Sequence, residues 1–521
     1  MLNFLEKFDT SRVGIANQAR LEPQKPAIIM GDVSVSYGEL DSFTNAMANG
    51  FLSLGVRPGD RIAVLLRNCP EYLMAWTAAG KIAVTPVGLN YRFKSDELAY
   101  IINDSEAKLL IYGEALEEVV QEAKPKLEHD SLDMICVSND SPAGVMSLNR
   151  LLAENSTEPP RVDSAGYGVA PSLIYTSGTT GRPKGVVRGV KNRLNSLLGY
   201  AYSFESGYDD TMLVPGPLYH SAPFAWAAFS LVLGNTLVIM PRFDAEEFLR
   251  LIQTHRVNTT IVVPTMLNRV VNLPDEVKGR YDLSSLRVIT AAAESFPFPL
   301  KKRTIDFFGE GKLFEFYGAT EISVVTRMRP EDQLRKPGSC GTPAMGSHIR
   351  LLDEDKQDVP VGEVGILYVK SPFLLDEYLN NPEATRAATH EGYFTVGDMA
   401  RVDEEGFYYI VDRAVDMIIS GGVNIYPAEI EEVLYRHPDV FDVGIIGVPD
   451  TDWGEKIVAY VVRQPGAALD EEGVVRHVSE NLASYKKPRE VIFVDELPYS
   501  PSGKLLKREL REMYKMAAER A

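Results

Sequence analysis

Cysteine is scarce in this chain of 521 residues: Cys69, Cys136 and Cys340 are far apart and odd in number. That excludes a disulfide framework and the paired spacing of a zinc site, and it suits a reducing cytosol. Basic residues are also short, with 54 Lys and Arg against 72 Asp and Glu for a formal charge of −18. Broad attraction to nucleic acid or to an anionic membrane is therefore disfavoured, and an anionic ligand has to be held by a local site. No continuous apolar run opens the chain. MLNFLEKFDTSRVG carries acidic residues and reads as neither a secretory signal nor a transit peptide, so the expected location is cytoplasmic. One segment, Ser221 to Met240, lacks charge over twenty residues, about the length that spans a bilayer. Pro223, the turn pair Gly234-Asn235 and the β-rich TLVIM interrupt it. A buried helix, a turn and a strand are predicted there, with no transmembrane span. Internal repeats and low-complexity stretches are missing as well.

What the chain does have is an ordinary globular balance, 45% apolar and 24% charged, and a length that predicts more than one domain. Short β-rich runs alternate with longer helical patterns: RIAVLL before EYLMAWTAAGKIA, NTLVIM before AEEFLRLIQTHR, NTTIVVP before TMLNRVVNL. This is the pattern of parallel α/β units. From about Gly346 the texture changes to strands and turns, as in HIRLLDEDKQDVPVGEVGILYVK. After Arg413 a shorter α+β pattern follows, with AEIEEVLYRHPDV and EEGVVRHVSENL as helices, VFDVGIIGVPD as a strand and turn, and EKIVAYVVR as a strand. The expected fold class is α/β: a large N-terminal domain, residues 1–413, of parallel α/β subdomains plus a β-rich subdomain, and a small α+β C-terminal domain, residues 414–521.

The densest chemistry lies in YTSGTTGRPKGV, Tyr175 to Val186. Gly178, Gly181 and Gly185 bare backbone NH groups, Thr176, Ser177, Thr179 and Thr180 add hydroxyls, and Lys184 adds positive charge, which together suit phosphoryl oxygens. The loop follows the strand-like PSLIY, and α/β sheets bind ligands at the C-terminal ends of their strands. It is not a Walker A loop, because Lys184 stands between Pro183 and Gly185 with no Ser or Thr after it. A solvated Gly/Ser/Thr linker is the bland alternative, but a linker has no reason to follow a buried strand so closely. In FEFYGATE, Tyr317 offers a face for adenine, Gly318 lets backbone approach, and Thr320 and Glu321 place a hydroxyl and a carboxylate where a magnesium ion can bridge to phosphates. Asp398 in VGD and Arg413 in DRAVD are each, taken alone, more often surface charges. Gly421 and Gly422 leave room for a narrow ligand such as pantetheine, or simply form a turn.

With YTSGTTGRPKG, PLYHSAP, FEFYGATE, YFTVGD, DRAVDMIISGGVNIYPAEIE and YSPSGKLLKREL in this order, the chain resembles the adenylate-forming enzymes, the superfamily of acyl-CoA synthetases, firefly luciferase and peptide-synthetase adenylation domains. The resemblance spans nearly the whole chain. It implies an AMP-forming acid–CoA ligase with ATP, Mg2+ and coenzyme A, and a mobile C-terminal domain. It implies that Thr176 and Glu321 contact the metal, and that Ala292, Ala293 and Glu294 pack near adenine alongside Tyr317, Gly318, Ala319 and Thr320. It implies that Asp398 accepts both ribose hydroxyls and that Arg413 reaches ribose or the α-phosphate. It further implies that His220 gates the acyl tunnel and that Lys504 swings in to bridge the substrate carboxylate and the α-phosphate. Two positions depart from the usual pattern: Glu294 stands where a proline is usual, and Val415 stands at the hinge where a lysine or aspartate is usual.

For the acid itself, Ala222, Phe224, Ala225 and Trp226 follow His220 in a segment with no acidic residue, whereas peptide-synthetase domains hold an α-amino group with an aspartate there. An apolar monocarboxylic acid, fatty, aryl or alicyclic, is expected. Two rival readings are an adenylating enzyme that loads a separate carrier protein, since no carrier domain is expected on this chain, and a nucleotide-binding regulator without catalysis. The expected partners are small molecules rather than nucleic acid, and a homodimer is left open.

Overall fold

The alternating pattern folds into sheets covered by helices, and the candidate site residues are drawn from three of these sheets. The structure, a computed structural model, describes residues 10–128, 132–138, 141–162, 171–176, 183–189, 193–294, 296–413, 416–420, 423–450, 454–499 and 505–520. Among the described residues the strands gather into sheets of nine, eight, six and five strands.

In chain order, the elements that build the site are α1 (Pro70–Lys81), β1 (Ser172–Thr176), β2 (Lys184–Arg188), α2 (Ser221–Val232), α3 (Pro264–Val271), β3 (Val288–Ala291), β4 (Leu313–Ala319), β5 (Ser323–Met328), β6 (Glu377–Tyr378), β7 (Asp398–Val402) and β8 (Tyr408–Arg413). Helix α1 begins on Pro70, whose fixed φ suits a first helical position, and it has Glu71 in its first turn and Lys81 in its last, each matched to the helix dipole. The uncharged segment from Ser221 is helix α2, a turn at Gly234 with φ of 86°, and the strand Thr236–Ile239, as the sequence predicts.

The nine-stranded sheet carries β3 between Thr259–Val262 and β4, all parallel, with β5 returning antiparallel beside β4. The eight-stranded sheet carries the antiparallel pair β1 and β2, with β6 added outside β2 through Tyr378 opposite Val186. The six-stranded sheet is the β-rich texture after Gly346, built on the antiparallel pair His348–Leu352 and Gly365–Lys370, and includes β7 and β8. The five-stranded sheet lies wholly within residues 418–493. There VFDVGIIGVPD, expected as a strand and a turn, is a single strand from Val440 to Asp450 paired along its length with Gly454–Arg463.

One apolar cluster joins the two large sheets and includes Ile28, Ile62, Tyr72, Trp76, Ile174, Trp226 and Phe316. Burying each large side chain contributes about 1.5–3 kcal/mol, so α1 and α2 are fixed firmly against both sheets. No described helix is long and apolar enough to cross a membrane.

Candidate active site

Thr176 is the last residue of β1 and Lys184 the first of β2, and the two are direct cross-strand partners. The glycine-rich segment therefore joins a hairpin. It leads directly into β2 rather than into a helix. Ser177, Gly178, Thr179, Thr180 and Gly181 lie outside the described residues. Side chains alternate across β1: the Tyr175 hydroxyl turns to Asp104 at 2.6 Å, while the Thr176 hydroxyl donates to Glu321 Oε1 at 3.2 Å. Tyr378, brought in by β6, donates to the same oxygen at 3.2 Å. The Lys184 ammonium lies 5.0 Å from the centre of the Tyr378 ring, a cation–π contact.

Glu321 is buried at 8% exposure in the tight connection from β4 to β5. Gly318 is fixed by that connection, since a Cβ there would come within 2.0 Å of the Ser323 carbonyl oxygen, at the bulge where the strand register shifts. The freedom of Gly318 thus serves its own strand partner. Thr320 Oγ1 lies 3.0 Å from Ser221 Oγ, tying the end of β4 to the first turn of α2. Arg188, at the end of β2, is half-buried, and desolvation pulls its guanidinium below the usual range while the nearby Glu321 and Asp376 carboxylates oppose the shift.

Tyr317 donates from its hydroxyl to Asp398 Oδ2 at 2.5 Å, and Asp398 is 6% exposed. Asp398 and Arg413 are cross-strand neighbours on β7 and β8. The Arg413 side chain lies outside the described residues, as do Gly421, Gly422, Val415 and Lys504.

Beyond β3 the chain passes through buried Ala292 and exposed Ala293 to Glu294. Ala293 has φ of 80°, a left-handed conformation strained for a residue with a Cβ. Glu294 Oε1 accepts from the Thr265 backbone NH at 3.1 Å and from its hydroxyl at 2.9 Å, so the residue that replaces the usual proline pins this loop to the start of α3. Burial pushes the Glu294 carboxyl up to about 8, against the Thr265 hydrogen bonds and with added repulsion from Asp442.

His220 precedes α2 as its N-cap residue. Burial, then the charge of Arg92, lower its imidazole to about 4, so it is neutral at physiological pH, and its buried Nε2 has no hydrogen-bond partner among the described residues. Ala222, Phe224 and Ala225 are half-buried and Trp226 is buried. The Phe224 ring lies 4.1 Å from Trp76, and Trp226 stacks on Phe316 at 4.9 Å with an interplanar angle of 8°. The structure thus gathers Thr176, Lys184, His220, Thr320, Glu321, Tyr317 and Asp398 around the open ends of β1, β4 and β7. It adds Ser221 and Tyr378, to which the sequence reading gave no role.

Among the described residues no three His, Cys, Asp or Glu side chains group to hold a metal. One buried carboxylate with a neighbouring hydroxyl is what a magnesium ion needs from a protein, because it takes most of its ligands from water and substrate phosphates. The residues present fit that ion.

A buried carboxylate and a hydroxyl beside a lysine-bearing glycine hairpin, on stacked α/β sheets, define a nucleotide-using ligase of the adenylate-forming class. The chain belongs to the AMP-binding enzyme family, which it matches over residues 15–379, and the AMP-binding enzyme C-terminal domain matches residues 429–504. It is 35% identical to a long-chain-fatty-acid–CoA ligase of Mycobacterium tuberculosis over 95% of each chain, and 35% identical to a feruloyl-CoA synthase of an Amycolatopsis species over 95% of this chain and 97% of that one. The anthranilate CoA ligase in complex with anthranoyl-AMP superposes with a TM-score of 0.89 at 26% identity, covering 97% of this chain and 98% of that one. The protein is an acyl-CoA synthetase that uses ATP, Mg2+ and coenzyme A.

Proposed function

We propose that the hairpin and the Glu321 cluster hold the triphosphate of ATP, that Tyr317 and Asp398 hold its nucleoside, and that an apolar monocarboxylic acid lies along α2. The observation that carries this reading is the pair of hydrogen bonds by which Thr176 and Tyr378 fix one oxygen of Glu321, at 3.2 Å each, beside Lys184. One oxygen is held by protein donors, and among the described residues none donates to the other, which we assign to the ligand. A magnesium ion bound there would neutralise phosphate charge.

The substrate carboxylate, an anion already, attacks the α-phosphorus and pyrophosphate leaves. The thiolate of coenzyme A then attacks the acyl carbon and AMP leaves. Neither step needs a nucleophilic side chain, so the protein contributes position and charge. Lys184 meets the phosphates and Lys504 bridges the carboxylate and the α-phosphate. Asp398, oriented by the Tyr317 hydroxyl, accepts from ribose together with Arg413. Ala292, Ala293 and Glu294 form one wall of the purine site, with Gly318 and Ala319 opposite. Neutral His220 cannot compete with Lys504 for the carboxylate as a cation and acts by position at the mouth of the acid pocket. Gly421 and Gly422 admit pantetheine. The protein body is residues 1–413 and the lid residues 414–521, acting in the cytoplasm.

An ammonium or a second carboxylate beside Phe224 and Trp226 would be desolvated without a partner, at a cost of several kcal/mol, about a hundredfold or more in rate. The test is kcat/KM for phenyl-substituted, straight-chain and alicyclic acids against their amino and dicarboxylic analogues, measured as pyrophosphate and AMP release with and without coenzyme A. Apolar acids are expected to give both products; comparable turnover of the charged analogues would contradict the pocket assignment.

A further inference from the structure

Partly exposed residues run along α2 from Ser221 to Ala225, are interrupted by buried Trp226, which is 5% exposed, and Ala227, and resume at Ala228 and Phe229. Trp226 is held in a three-ring stack: Phe316 lies 4.9 Å from it at 8°, Phe204 lies 4.9 Å from it at 56°, and Phe204 and Phe316 are 5.7 Å apart. An open cleft of about 710 Å³ is bordered by residues that flank the three rings along the chain, Ala201, Tyr202, Tyr208 and Phe314, together with Arg287 and Arg327, while the rings themselves stay out of its lining. Strand β4 links the two spaces. Phe314 and Phe316 are two residues apart and share a face of the sheet, the first bordering the cleft and the second forming the stack, while Thr320 at the far end of the strand meets Ser221.

We propose that Phe204, Trp226 and Phe316 form a partition that closes the acid pocket against this cleft and so restricts the enzyme to compact acids, about the length of a phenylpropanoid. The inference rests on the acid lying along α2, as above. Two independent rulers give the available depth. From Thr320, just past β4, back to Phe316 is four residues, at most about 13 Å because of the bulge at Tyr317–Gly318; from His220, the N-cap of α2, to Trp226 is six residues, about 9 Å. A sixteen-carbon acid extends roughly 19 Å on C–C bonds of about 1.5 Å, so it fits only by displacing the rings. Displacement is opposed because each ring is packed on both others, and opening one leaves a void behind it. Arg327 stiffens the cleft side: its guanidinium lies over the Tyr202 ring at 5.9 Å and donates to the Ser203 carbonyl oxygen at 3.0 Å, holding the backbone that leads into Phe204.

The test compares 3-phenylpropanoate with hexadecanoate as substrates of the full chain and of Trp226→Ala, with Phe204→Leu as the milder second variant. The wild-type enzyme is expected to favour the compact acid by roughly 100-fold in kcat/KM, and the variants to narrow that ratio by roughly 10-fold or more. A hexadecanoic acid carrying a terminal diazirine should label peptides spanning residues 201–208 or 327–331 in Trp226→Ala and not in wild type. Equal use of both acids by the wild-type enzyme would overturn the partition, as would an unchanged ratio in variants that still release pyrophosphate with 3-phenylpropanoate. Absence of pyrophosphate release from the wild-type enzyme with every acid would overturn the ligase reading as well, so the two failures are distinct.

Discussion

The two sides of the site are built by opposite means. On the side proposed to hold the nucleotide the side chains are tied to one another: Glu321 accepts from two hydroxyls, Asp398 from Tyr317, Glu294 from Thr265, and Thr320 meets Ser221. On the acid side the polar atoms Tyr219 hydroxyl, His220 Nε2 and Trp226 Nε1 are buried without partners among the described residues, and rings fill the space. Fixed donors and carboxylates act where charge moves during the reaction, and they cost nothing to reorganise at that moment. Ring packing, by contrast, selects by shape. Substitutions on the two sides should therefore differ in kind: loss of rate on the first, change of preferred acid on the second.

The largest break in this comparison is expected from Glu321→Gln. It removes the only buried carboxylate that Thr176 and Tyr378 orient, and pyrophosphate release should fall by about 10²–10³-fold with the order of preference among acids unchanged. Tyr378→Phe should act in the same direction but less, by about 10-fold, because Thr176 still holds Glu321. Its effect should fall on kcat and on the magnesium requirement; a change confined to the KM of the acid would move Tyr378 to the other side of the comparison.

A separate expected effect concerns stability. The Glu294 carboxyl is raised from an ordinary 4.5 to about 8 by burial, with Asp442 and Tyr499 as the titratable groups facing it. The folded protein therefore keeps a proton that the unfolded chain releases. Its contribution is complete below about pH 4.5 and is lost as pH rises toward about 8. Relative to Glu294→Gln, which is always neutral, the melting temperature of the wild-type protein should fall across that window. A constant difference between the two proteins from about pH 5 to about pH 8 would show that Glu294 does not titrate there.

Much of this was legible in the sequence. The alternation of RIAVLL-type strands with helical runs marks the sheets because period-2 and period-3.6 patterns survive tertiary packing, and the motifs carrying Thr176, Lys184, Glu321 and Asp398 mark the side proposed to hold the nucleotide. Tyr378 was not legible. It reaches Glu321 only because β6 pairs with β2 across nearly two hundred residues of chain, and no local pattern encodes that crossing. The antiparallel return of β2 was likewise hidden, since a glycine-rich loop after a strand looks the same before a helix or a hairpin. Glu294 stood out as a departure, yet its capping of α3 depends on where Thr265 lands. The partition was half visible: Phe224 and Trp226 read as an apolar pocket, but Phe204 and Phe316 lie on other elements and meet Trp226 only in three dimensions.

The most direct test of the account is the order of product release with 3-phenylpropanoate and MgATP. Without coenzyme A, a burst of pyrophosphate equal to the enzyme concentration should appear, with acyl-AMP retained and trapped as a hydroxamate by hydroxylamine. Addition of coenzyme A should then release AMP and acyl-CoA in equal amounts. Formation of ADP and phosphate, or ATP cleavage that does not depend on the acid, would contradict the account.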